Sequence, residues 1–326
     1  MYPVAPYSFA VQASPGRDIA EWAQLIGRTE DLGYDALLLP DHVGSGGALM
    51  TGMASAAAFT RSLRIGSLMA AVDFRNPVVL AHELMTLDGL LDGKLEVGVG
   101  AGWLTRDFLR AGLPAESATA RIERLRECVE IVTELWSGRS VSYRGRHFTT
   151  TDSQITATPS SPAPRWTLGG GGQHMVRLAA SVADVVSLSA SMAAGRKDAP
   201  LGDTASAASF KRRLTWVEEE ASKRGFFPVI QCLAFETAVV DDPEEHVRSQ
   251  LSGMFSLSTQ EILESPLTLV GDTDTLCKTI DHRRATLGIS YWVVKASVME
   301  QFAPVVQRLS PRRATSTPSA TELSLD

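Results

Sequence analysis

The sequence has little cysteine, and the cysteines it has are not spaced for a structural use. Among its 326 residues there are three cysteines, Cys128, Cys232 and Cys277, which lie far apart. Paired spacing is typical of zinc sites and disulfide frameworks, so we expect neither. Scarce, unpaired cysteine is typical of reducing compartments, and we therefore expect a cytoplasmic protein.

Long apolar runs and basic runs are also missing. No run reaches the roughly 18 residues that a membrane span requires, and no basic segment followed by an apolar one opens the chain. The formal net charge is -6, which does not favour nucleic acid as a partner. With 44% hydrophobic and 21% charged residues, the composition is that of an ordinary soluble globular protein. We expect neither a membrane nor a nucleic-acid partner.

Several common site patterns are absent as well. No three of the six histidines have metal-ligand spacing, so no metal is expected, and no Ser or Cys stands in a nucleophile elbow. The glycine run at 169–172 is not followed by Lys-Ser or Lys-Thr, as a Walker loop would be. It also lacks the acidic residue about 20 positions later that a dinucleotide fingerprint needs.

What the chain does contain is a repeated strand–helix unit, clearest over residues 64–103. Both ends of this stretch are apolar without alternation, which is typical of strands buried on two faces in a parallel sheet. Between them, apolar residues recur at helical spacing from Asn76-Pro77 to Asp92-Gly93. Eight strand candidates alternate with helices over about 300 residues. This pattern favours an α/β fold of the (β/α)8 TIM-barrel type, with insertions, over an open Rossmann sheet.

The other expected strands and loops follow from turn residues and apolar runs. A single barrel domain is predicted over 1–310, and residues 311–326, rich in Ser, Thr and Pro, are predicted to be disordered. A hairpin is expected over 141–148, turning at Arg144-Gly145, and a mobile loop over the site is expected at 189–209. Besides the two strands of the repeated unit, the expected strands are 7–12, 35–40, 162–168, 184–188, 229–240 and 289–294.

In such a barrel the chemistry lies at the C-terminal ends of the strands. Four loops stand out there: Asp41-His42, then residues 73–76, 100–103 and 169–172. His42 is the main acid–base candidate, because an imidazole with a pKa near 6.5 can hold or release a proton at neutral pH. The alternative is a rim histidine bonded to a backbone carbonyl. Asp41 is adjacent in sequence, but the two side chains need not touch.

The glycine run has two interpretations. Four residues without Cβ allow the backbone to approach a phosphate, whose oxygens would be bound by N–H groups at a helix start. The alternative is a tight turn between a strand and a helix. Under the first interpretation, a Cβ at Gly171 would push the backbone away from the ligand or strain a positive φ angle, while the flanking strand and helix keep their packing.

Several segments together resemble the luciferase-like monooxygenase superfamily, and most of all its branch that depends on the deazaflavin coenzyme F420. The resemblance extends to about Leu309 and is specific for a TIM barrel of the bacterial luciferase-like type, but much less so for substrate. The segments are VDFRNP (72–77), LDGL (87–90), LEVGVGAGW (95–103), YDALLLPDH (34–42), LGGGG (168–172), LESPLTLVG (263–271) and GISYWVV (288–294).

The resemblance implies a flavin or deazaflavin at the C-terminal mouth of the barrel. A bulge at Leu68-Met69, which in the family often contains a non-proline cis peptide, would lie behind the ring. His42 would lie near the reactive carbon. The other implied cofactor-binding residues are Asp41, Gly100, Ala101, Gly169, Gly170, Gly171, Gly172 and Gln173.

One departure from the family pattern bears on the substrate. In sugar-phosphate dehydrogenases of this superfamily a glutamate follows the glycines after the fourth strand, and Trp103 occupies that position. This argues against a sugar-phosphate reaction and for an apolar or aromatic wall of the substrate pocket. Asp107 is the candidate substitute for the missing carboxylate.

The leading functional hypothesis is hydride transfer between F420 and a small organic substrate, with His42 handling the proton. One alternative is a monooxygenase that uses reduced FMN (FMNH2) and O2 and needs a partner flavin reductase; another is a flavin-binding protein without turnover. F420 carries an acidic oligoglutamate tail, so a basic cluster beside the phosphate loop would favour it. Candidates for that cluster are Arg75, Arg106, Arg165 and Arg177.

Members of the family commonly form dimers through the helices after strands two and three. A homodimer is therefore expected, with close helix packing at residues 54–58.

Overall fold

A closed barrel of parallel strands forms the centre of the molecule. The computed structural model describes residues 5–196 and 199–310, so the predicted tail at 311–326 lies outside the described residues. Each strand pairs with the next in chain order, and the last pairs with the first, Trp292 beside Phe9. The predicted (β/α)8 barrel is confirmed. Its strands are β1 (Ser8–Gln12), β2 (Ala36–Leu39), β3 (Arg64–Ser67), β4 (Leu95–Gly100), β5 (Trp166–Gly170), β6 (Val185–Leu188), β7 (Val229–Leu233) and β8 (Ile289–Lys295).

Helices pack around the barrel, so its strands are covered on both faces. Every residue of β2 and of β4 is buried, which explains why neither strand shows polar alternation. The helices are α1 (Ile19–Asp31), α2 (Leu49–Phe59), α3 (Pro77–Leu90), α4 (Thr105–Arg110), α5 (Ala118–Trp136), α6 (Gln173–Val182), α7 (Ala207–Arg224), α8 (Pro243–His246), α9 (Thr259–Glu264), α10 (Thr273–Leu287) and α11 (Met299–Leu309). In the described residues, none of these is long and apolar enough to cross a membrane.

Local signals set several helix ends. The side chains of Asp18, Asn76 and Ser117 accept N–H groups in the first turns of α1, α3 and α5, as N-caps do. Pro77 follows Asn76 at the first helical position, where its missing N–H costs nothing. Gly225 ends α7 with a left-handed φ of 72°, a conformation that a side chain would disfavour.

Polar side chains fill the N-terminal end of the barrel. The Glu96 carboxylate, at the start of β4, is 2% exposed and lies 2.6 Å from Nε of Arg64 and 2.9 Å from Nη1 of Arg165. The Tyr291 hydroxyl donates to its other oxygen at 2.8 Å. Burial, together with the Glu96 charge, raises the pKa of Tyr291 well above its usual value, so this phenol stays a donor. Above this cluster, apolar side chains occupy the barrel interior: Ala10, Ala36, Leu38, Leu68, Val185 and Val293.

The structure corrects several predicted strand boundaries. The fifth strand, predicted over 162–168, begins at Trp166 and runs to Gly170. The seventh strand does not run to residue 240, because β7 ends at Leu233. The N–H of Phe235 then donates to Leu267 O. Beyond it the chain forms a separate strand, Glu236–Val239, which pairs with Thr268–Gly271 outside the barrel. The hairpin consists of Val141–Arg144 and Thr149–Ser153, so its second strand begins beyond the predicted range. Glu127 of α5 accepts three N–H groups of the intervening turn, a distant contact that the local sequence does not reveal.

The segment predicted as a loop at 189–209 is partly helical. A 3-10 turn lies at Asp203–Ala205, and α7 begins at Ala207, with Ser206 as its N-cap. Leu201 pairs with Phe255 in an isolated β-bridge. Short 3-10 turns also lie at Val72–Phe74 and Ala296–Val298, and Val247–Leu251 continues α8 as a π-turn. The predicted mobility of the segment stays a prediction.

Candidate active site

A cavity of about 610 Å³ opens at the C-terminal ends of the barrel strands. All four loops singled out from the sequence contribute to it, and so does the segment at 187–193. Gln173 does not line the cavity; the other predicted site residues do, and their roles stay predictions. These are Asp41, His42, Leu68, Met69, Gly100, Ala101, Trp103, Asp107, Gly169, Gly170, Gly171 and Gly172.

His42 and Asp107 form a hydrogen-bonded pair at the cavity wall. His42 follows the end of β2, and α4 brings Asp107 to it, with Nδ1 of the imidazole 2.6 Å from Oδ2 of the carboxylate. Their side chains are 23% and 6% exposed. An ionised carboxylate only accepts, so Nδ1 carries the proton, and Nε2 is the ring nitrogen left for a ligand. The partner of His42 is thus a carboxylate and not a backbone carbonyl.

The turn between β4 and α4 allows this pairing. Gly102 has a left-handed φ of 63°, and a Cβ there would lie 2.7 Å from Cζ of Phe108. Only glycine fits this turn, which folds α4 back over the mouth of the barrel. Trp103, next in the chain, has its ring centroid 6.2 Å from that of His42, with the two planes at 83°. The indole therefore limits how the imidazole can tilt.

Asp41 belongs to a different ion pair. Its carboxylate accepts both Nη groups of Arg75, one at 3.1 Å, and the N–H of Ala71 at 2.9 Å. These contacts tie the end of β2 to the segment that follows β3. Asp41 lines the cavity, but both of its oxygens already have protein donors, and its predicted contact with a cofactor stays a prediction.

The bulge at the end of β3 lies where the resemblance implies. The peptide bond between Leu68 and Met69 is cis, and Gln12 Nε2 donates to Leu68 O at 3.3 Å. The strand then resumes as Ala70–Ala71, which pairs with the end of β4. Leu68 and Met69 of the bulge line the cavity, and the Met69 side chain also lies beside Gly98 and Gly100 of β4.

The four glycines differ in what requires them. A Cβ at Gly169 would lie 1.9 Å from Ser187 O, and one at Gly171 would lie 2.3 Å from Ala190 O, whereas one at Gly172 would meet nothing within 4 Å. None of the four has a positive φ. Packing against the backbone of β6, at Ser187, and against the segment that follows β6, at Ala190, therefore requires glycine at 169 and 171. The expectation that Gly171→Ala would spare the packing is wrong.

The start of α6 is open to a ligand. No side chain caps it at Gly172, and its first bond runs from Val176 N–H to Gly172 O. The preceding N–H groups of α6 donate to no acceptor in the described part of the chain. Unpaired N–H groups and the positive end of the helix dipole together favour an anion.

The four arginines proposed as a basic cluster do not assemble. Arg75 is paired with Asp41, and Arg177 is paired with Glu219 and Glu220 of α7. Arg165 precedes β5 and binds Glu96 at the opposite end of the barrel. Arg106 is exposed on α4 and has no ion pair within the residues described. Basic side chains are therefore not gathered beside the glycines in the predicted way.

Sequence reasoning missed Arg121 and the aromatic side of the cavity. Arg121, in the first turn of α5, donates from Nε to Ala101 O at 3.0 Å and lies 5.4 Å from the ring centroid of Phe108. The helical pattern of α5 identified its apolar face but gave no signal for this arginine. The predicted Trp103 wall is joined by other apolar side chains, namely Phe74, Leu104, Phe108, Ile122, Leu233 and Phe235.

The described residues hold no group of three or more His, Cys, Asp or Glu side chains arranged to bind a metal ion. The cysteines are buried and unpaired. Burial raises the pKa of Cys128 and of Cys232 to about 12. These two thiols therefore stay protonated at neutral pH and are poor nucleophiles.

Known proteins resemble this chain in sequence and in fold. The F420-dependent glucose-6-phosphate dehydrogenase of Amycolatopsis mediterranei is 29% identical over 173 residues, 51% of each chain. The chain thus spans about half the length of the curated relatives it matches. An F420-dependent secondary alcohol dehydrogenase, solved with an F420–acetone adduct, has a TM-score of 0.75 at 20% identity, covering 94% of this chain and 99% of that one.

A monooxygenase has the same fold. The oxygenating constituent of 3,6-diketocamphane monooxygenase from Pseudomonas putida, solved with FMN, has a TM-score of 0.70 at 17% identity, covering 94% of this chain and 96% of that one. At such identities these structures show a shared fold and no more. The family model for luciferase-like monooxygenases matches residues 4–215, well over half of the sequence. Together with the barrel and its mouth, this match shows that the chain belongs to the luciferase-like monooxygenase family.

Proposed function

We propose that the protein is an oxidoreductase that uses coenzyme F420 at the C-terminal mouth of the barrel to reduce or oxidise a small organic substrate. The observation that carries the proposal is the placement of the His42–Asp107 pair and the open start of α6 on one cavity of about 610 Å³. The His42–Asp107 pair is suited to proton transfer, and the start of α6 is suited to binding a phosphate. The F420-dependent relatives support the choice of cofactor.

The residues at the mouth fit such a cofactor. The N–H groups at the start of α6 would bind its phosphate, and the bulge at Leu68-Met69 would support one face of its ring. Bound there, F420 supplies hydride transfer, which no side chain of the protein can perform. The protein itself binds, orients and excludes water, and it moves the accompanying proton.

His42 would move that proton through Nε2. With Nδ1 held by Asp107, the imidazole presents Nε2 to the cavity, where it can accept a proton from the substrate or return one to it. The Asp107 carboxylate fixes the tautomer and stabilises the imidazolium that forms. His42 is thus the acid–base residue of the proposal, and Asp107 positions it.

The cavity walls favour an apolar or aromatic substrate. Phe74, Trp103 and Phe108 offer flat apolar surfaces. A sugar phosphate would need polar partners here, and Trp103 stands where the sugar-phosphate enzymes of the superfamily carry a glutamate. We therefore propose a different substrate from that named for the glucose-6-phosphate dehydrogenases.

A second candidate is an FMN-dependent monooxygenase with a partner flavin reductase. This candidate is favoured by the separation of Arg75, Arg106, Arg165 and Arg177, because the acidic oligoglutamate tail of F420 would find few unpaired cations beside the glycines. Fluorescence titration of the purified protein with F420 and with FMN tests both. Tighter binding of F420 without oxygen uptake is expected. FMN binding accompanied by oxygen uptake in the presence of a reductase would replace the F420 proposal with the second candidate.

A further inference from the structure

Arg213 is buried behind the glycine loop without an acidic partner. It lies on α7, is 3% exposed, and forms no ion pair in the described part of the chain; the carboxylate of Asp203, which lies 3.7 Å from Arg212, acts on Arg213 only at longer range. Its Nε donates to Gly171 O at 2.9 Å and its Nη2 to Thr204 O at 2.7 Å, while Nη1 has no partner among the described residues. Burial lowers its pKa to about 10, so the guanidinium is still charged at neutral pH. A buried, unpaired charge is unfavourable unless something compensates it.

The contact with Gly171 sets the direction of one N–H group. In a trans peptide the carbonyl and the following N–H lie in one plane and point in opposite directions. Since Arg213 holds the Gly171 carbonyl, the Gly172 N–H points away from Arg213. Both glycines line the cavity, and this N–H donates to no acceptor within the described residues. The peptide is thereby fixed with a free donor at the start of α6.

We propose that Arg213 is a positioning residue for a phosphate group at the glycine loop: it holds the Gly171–Gly172 peptide in the phosphate-binding orientation and adds positive charge behind it. The inference rests on the proposed function, because it assumes that the cofactor phosphate binds at this loop. The phosphate in turn supplies the negative charge that Arg213 lacks. Arg213 does not line the cavity and acts through the backbone.

The test compares ligands with and without a phosphate. Dissociation constants are measured by fluorescence titration at one salt concentration for FMN against riboflavin, which differ by the phosphate alone, and for F420 against its deazaflavin core, which lacks the phosphate and the tail beyond it. The phosphate selectivity is the ratio of the two constants in each pair. A residue with only a structural role would weaken both members of a pair alike, so this ratio isolates phosphate positioning.

Arg283 provides a matched control. It is also 3% exposed, donates to two backbone carbonyls, Thr268 O and Leu263 O, and has its pKa lowered by burial to about 10. It does not line the cavity. Arg283→Gln should lower the melting temperature as Arg213→Gln does, but it should leave the phosphate selectivity unchanged.

In Arg213→Gln we expect the phosphate-bearing ligand to bind at least about tenfold more weakly, and its phosphate-free partner to change less than about threefold. Unchanged selectivity in folded Arg213→Gln overturns the inference, and so does an equal loss in Arg283→Gln. If Arg213→Gln does not fold, Arg213→Lys decides, because lysine keeps the charge but cannot hold both carbonyls in the same way. Parent selectivity in Arg213→Lys would then overturn the inference.

Failure of the proposed function would appear in the parent protein. If the parent binds neither cofactor, or binds both members of each pair equally, the phosphate loop is misassigned and the inference falls with it. If the parent is selective and the Arg213 variants are equally selective, the role of Arg213 alone is refuted.

Discussion

Nδ1 of His42 lies 2.6 Å from Oδ2 of Asp107, although 65 positions separate the two residues in the sequence. The carboxylate is 6% exposed, so water competes little for this bond. A buried carboxylate that accepts from an imidazole fixes both the orientation of the ring and the nitrogen that carries the proton. With Nδ1 bonded to Asp107, Nε2 is the ring nitrogen left for a ligand, and the functional predictions for this pair depend on that assignment.

We predict that His42→Ala lowers turnover about 100-fold or more, because general acid–base catalysis typically contributes that much. Asp107→Asn should lower turnover at least about tenfold through misorientation of the ring. Since Asp107 acts through His42, the double variant should be no slower than His42→Ala alone. Steady-state rates at saturating substrate measure all three.

His82→Ala is the control for these variants, because His82 is exposed on α3 away from the cavity. It should retain parental turnover. A His42→Ala protein that is folded and turns over at the parental rate would refute the acid–base role. Additive losses in the double variant would show that Asp107 acts independently of His42.

We predict that Gly172→Ala weakens cofactor binding at least about tenfold without destabilising the fold. A Cβ at Gly172 meets no protein atom within 4 Å, so the added methyl group would point into space that the ligand needs. Losing one or two charge-assisted hydrogen bonds accounts for the magnitude. Titration with F420 and with FMN, together with a melting curve, measures both effects.

Gly27 in α1 provides the matching control for Gly172, since a Cβ there also meets nothing within 4 Å. Gly27→Ala should bind the cofactor normally and be slightly more stable, because alanine favours a helix over glycine. Parental affinity in Gly172→Ala would move the phosphate site elsewhere on the rim of the barrel.

Stability should depend on pH through Glu30 at the end of α1. Burial alone would raise its pKa, but the N–H groups of Ser62 and Arg61, the Arg61 side chain and the Thr60 hydroxyl outweigh burial and hold the pKa at about 2, below its ordinary 4.5. Because the folded-state pKa is depressed, the stabilisation is complete above pH 4.5 and is lost as the pH falls towards 2.

Glu30→Gln should therefore lower the free energy of unfolding by about 1–3 kcal/mol at neutral pH. It should also flatten the loss of stability between pH 4.5 and 2. Urea denaturation of the parent and of the variant at several pH values measures this. If the free energy of unfolding falls with pH equally in the parent and in Glu30→Gln, the Glu30 carboxylate does not contribute to the pH dependence of stability.

The homodimer remains a prediction, and the structure suggests where to test it. Phe59 and Leu90, at the ends of the neighbouring helices α2 and α3, are 38% and 62% exposed. If these helices pair between two copies, a charge there would be buried, so Leu90→Glu should yield a monomer by light scattering at micromolar concentration. Ile19→Glu, on α1 and 59% exposed in the parent, should not. If the parent protein is itself a monomer under these conditions, the predicted homodimer is refuted.

The sequence predicted the barrel well because its signals are local. Apolar runs of strand length, helical periodicity and cap residues such as Asn76-Pro77 are all written within short windows. The sequence predicts β7 too long because no turn residue separates Val229–Leu233 from Glu236–Val239. Only the partner of each segment separates them, and that partner is distant in sequence.

The sequence locates the candidate site but does not show which of its side chains contact each other. Strand ends identified His42, and the resemblance identified the bulge at Leu68-Met69. The link between His42 and Asp107 depends on the turn at Gly102, and the pairing of Arg75 with Asp41 depends on two strands meeting. Arg213 gave no sequence signal, since a charged residue on a helix is usually solvated.

The cluster around Glu96 fills the N-terminal end of the barrel, and in the described part of the chain the cavity opens at the opposite end, where the strands finish. If cofactor and substrate bind there together, the ligand in the deeper position must enter first and leave last, because the outer ligand covers it. Binding of cofactor and substrate would then follow a compulsory order, and the release of the outer ligand would control how long the inner one stays. Product-inhibition patterns, competitive against one ligand and not against the other, would report that order.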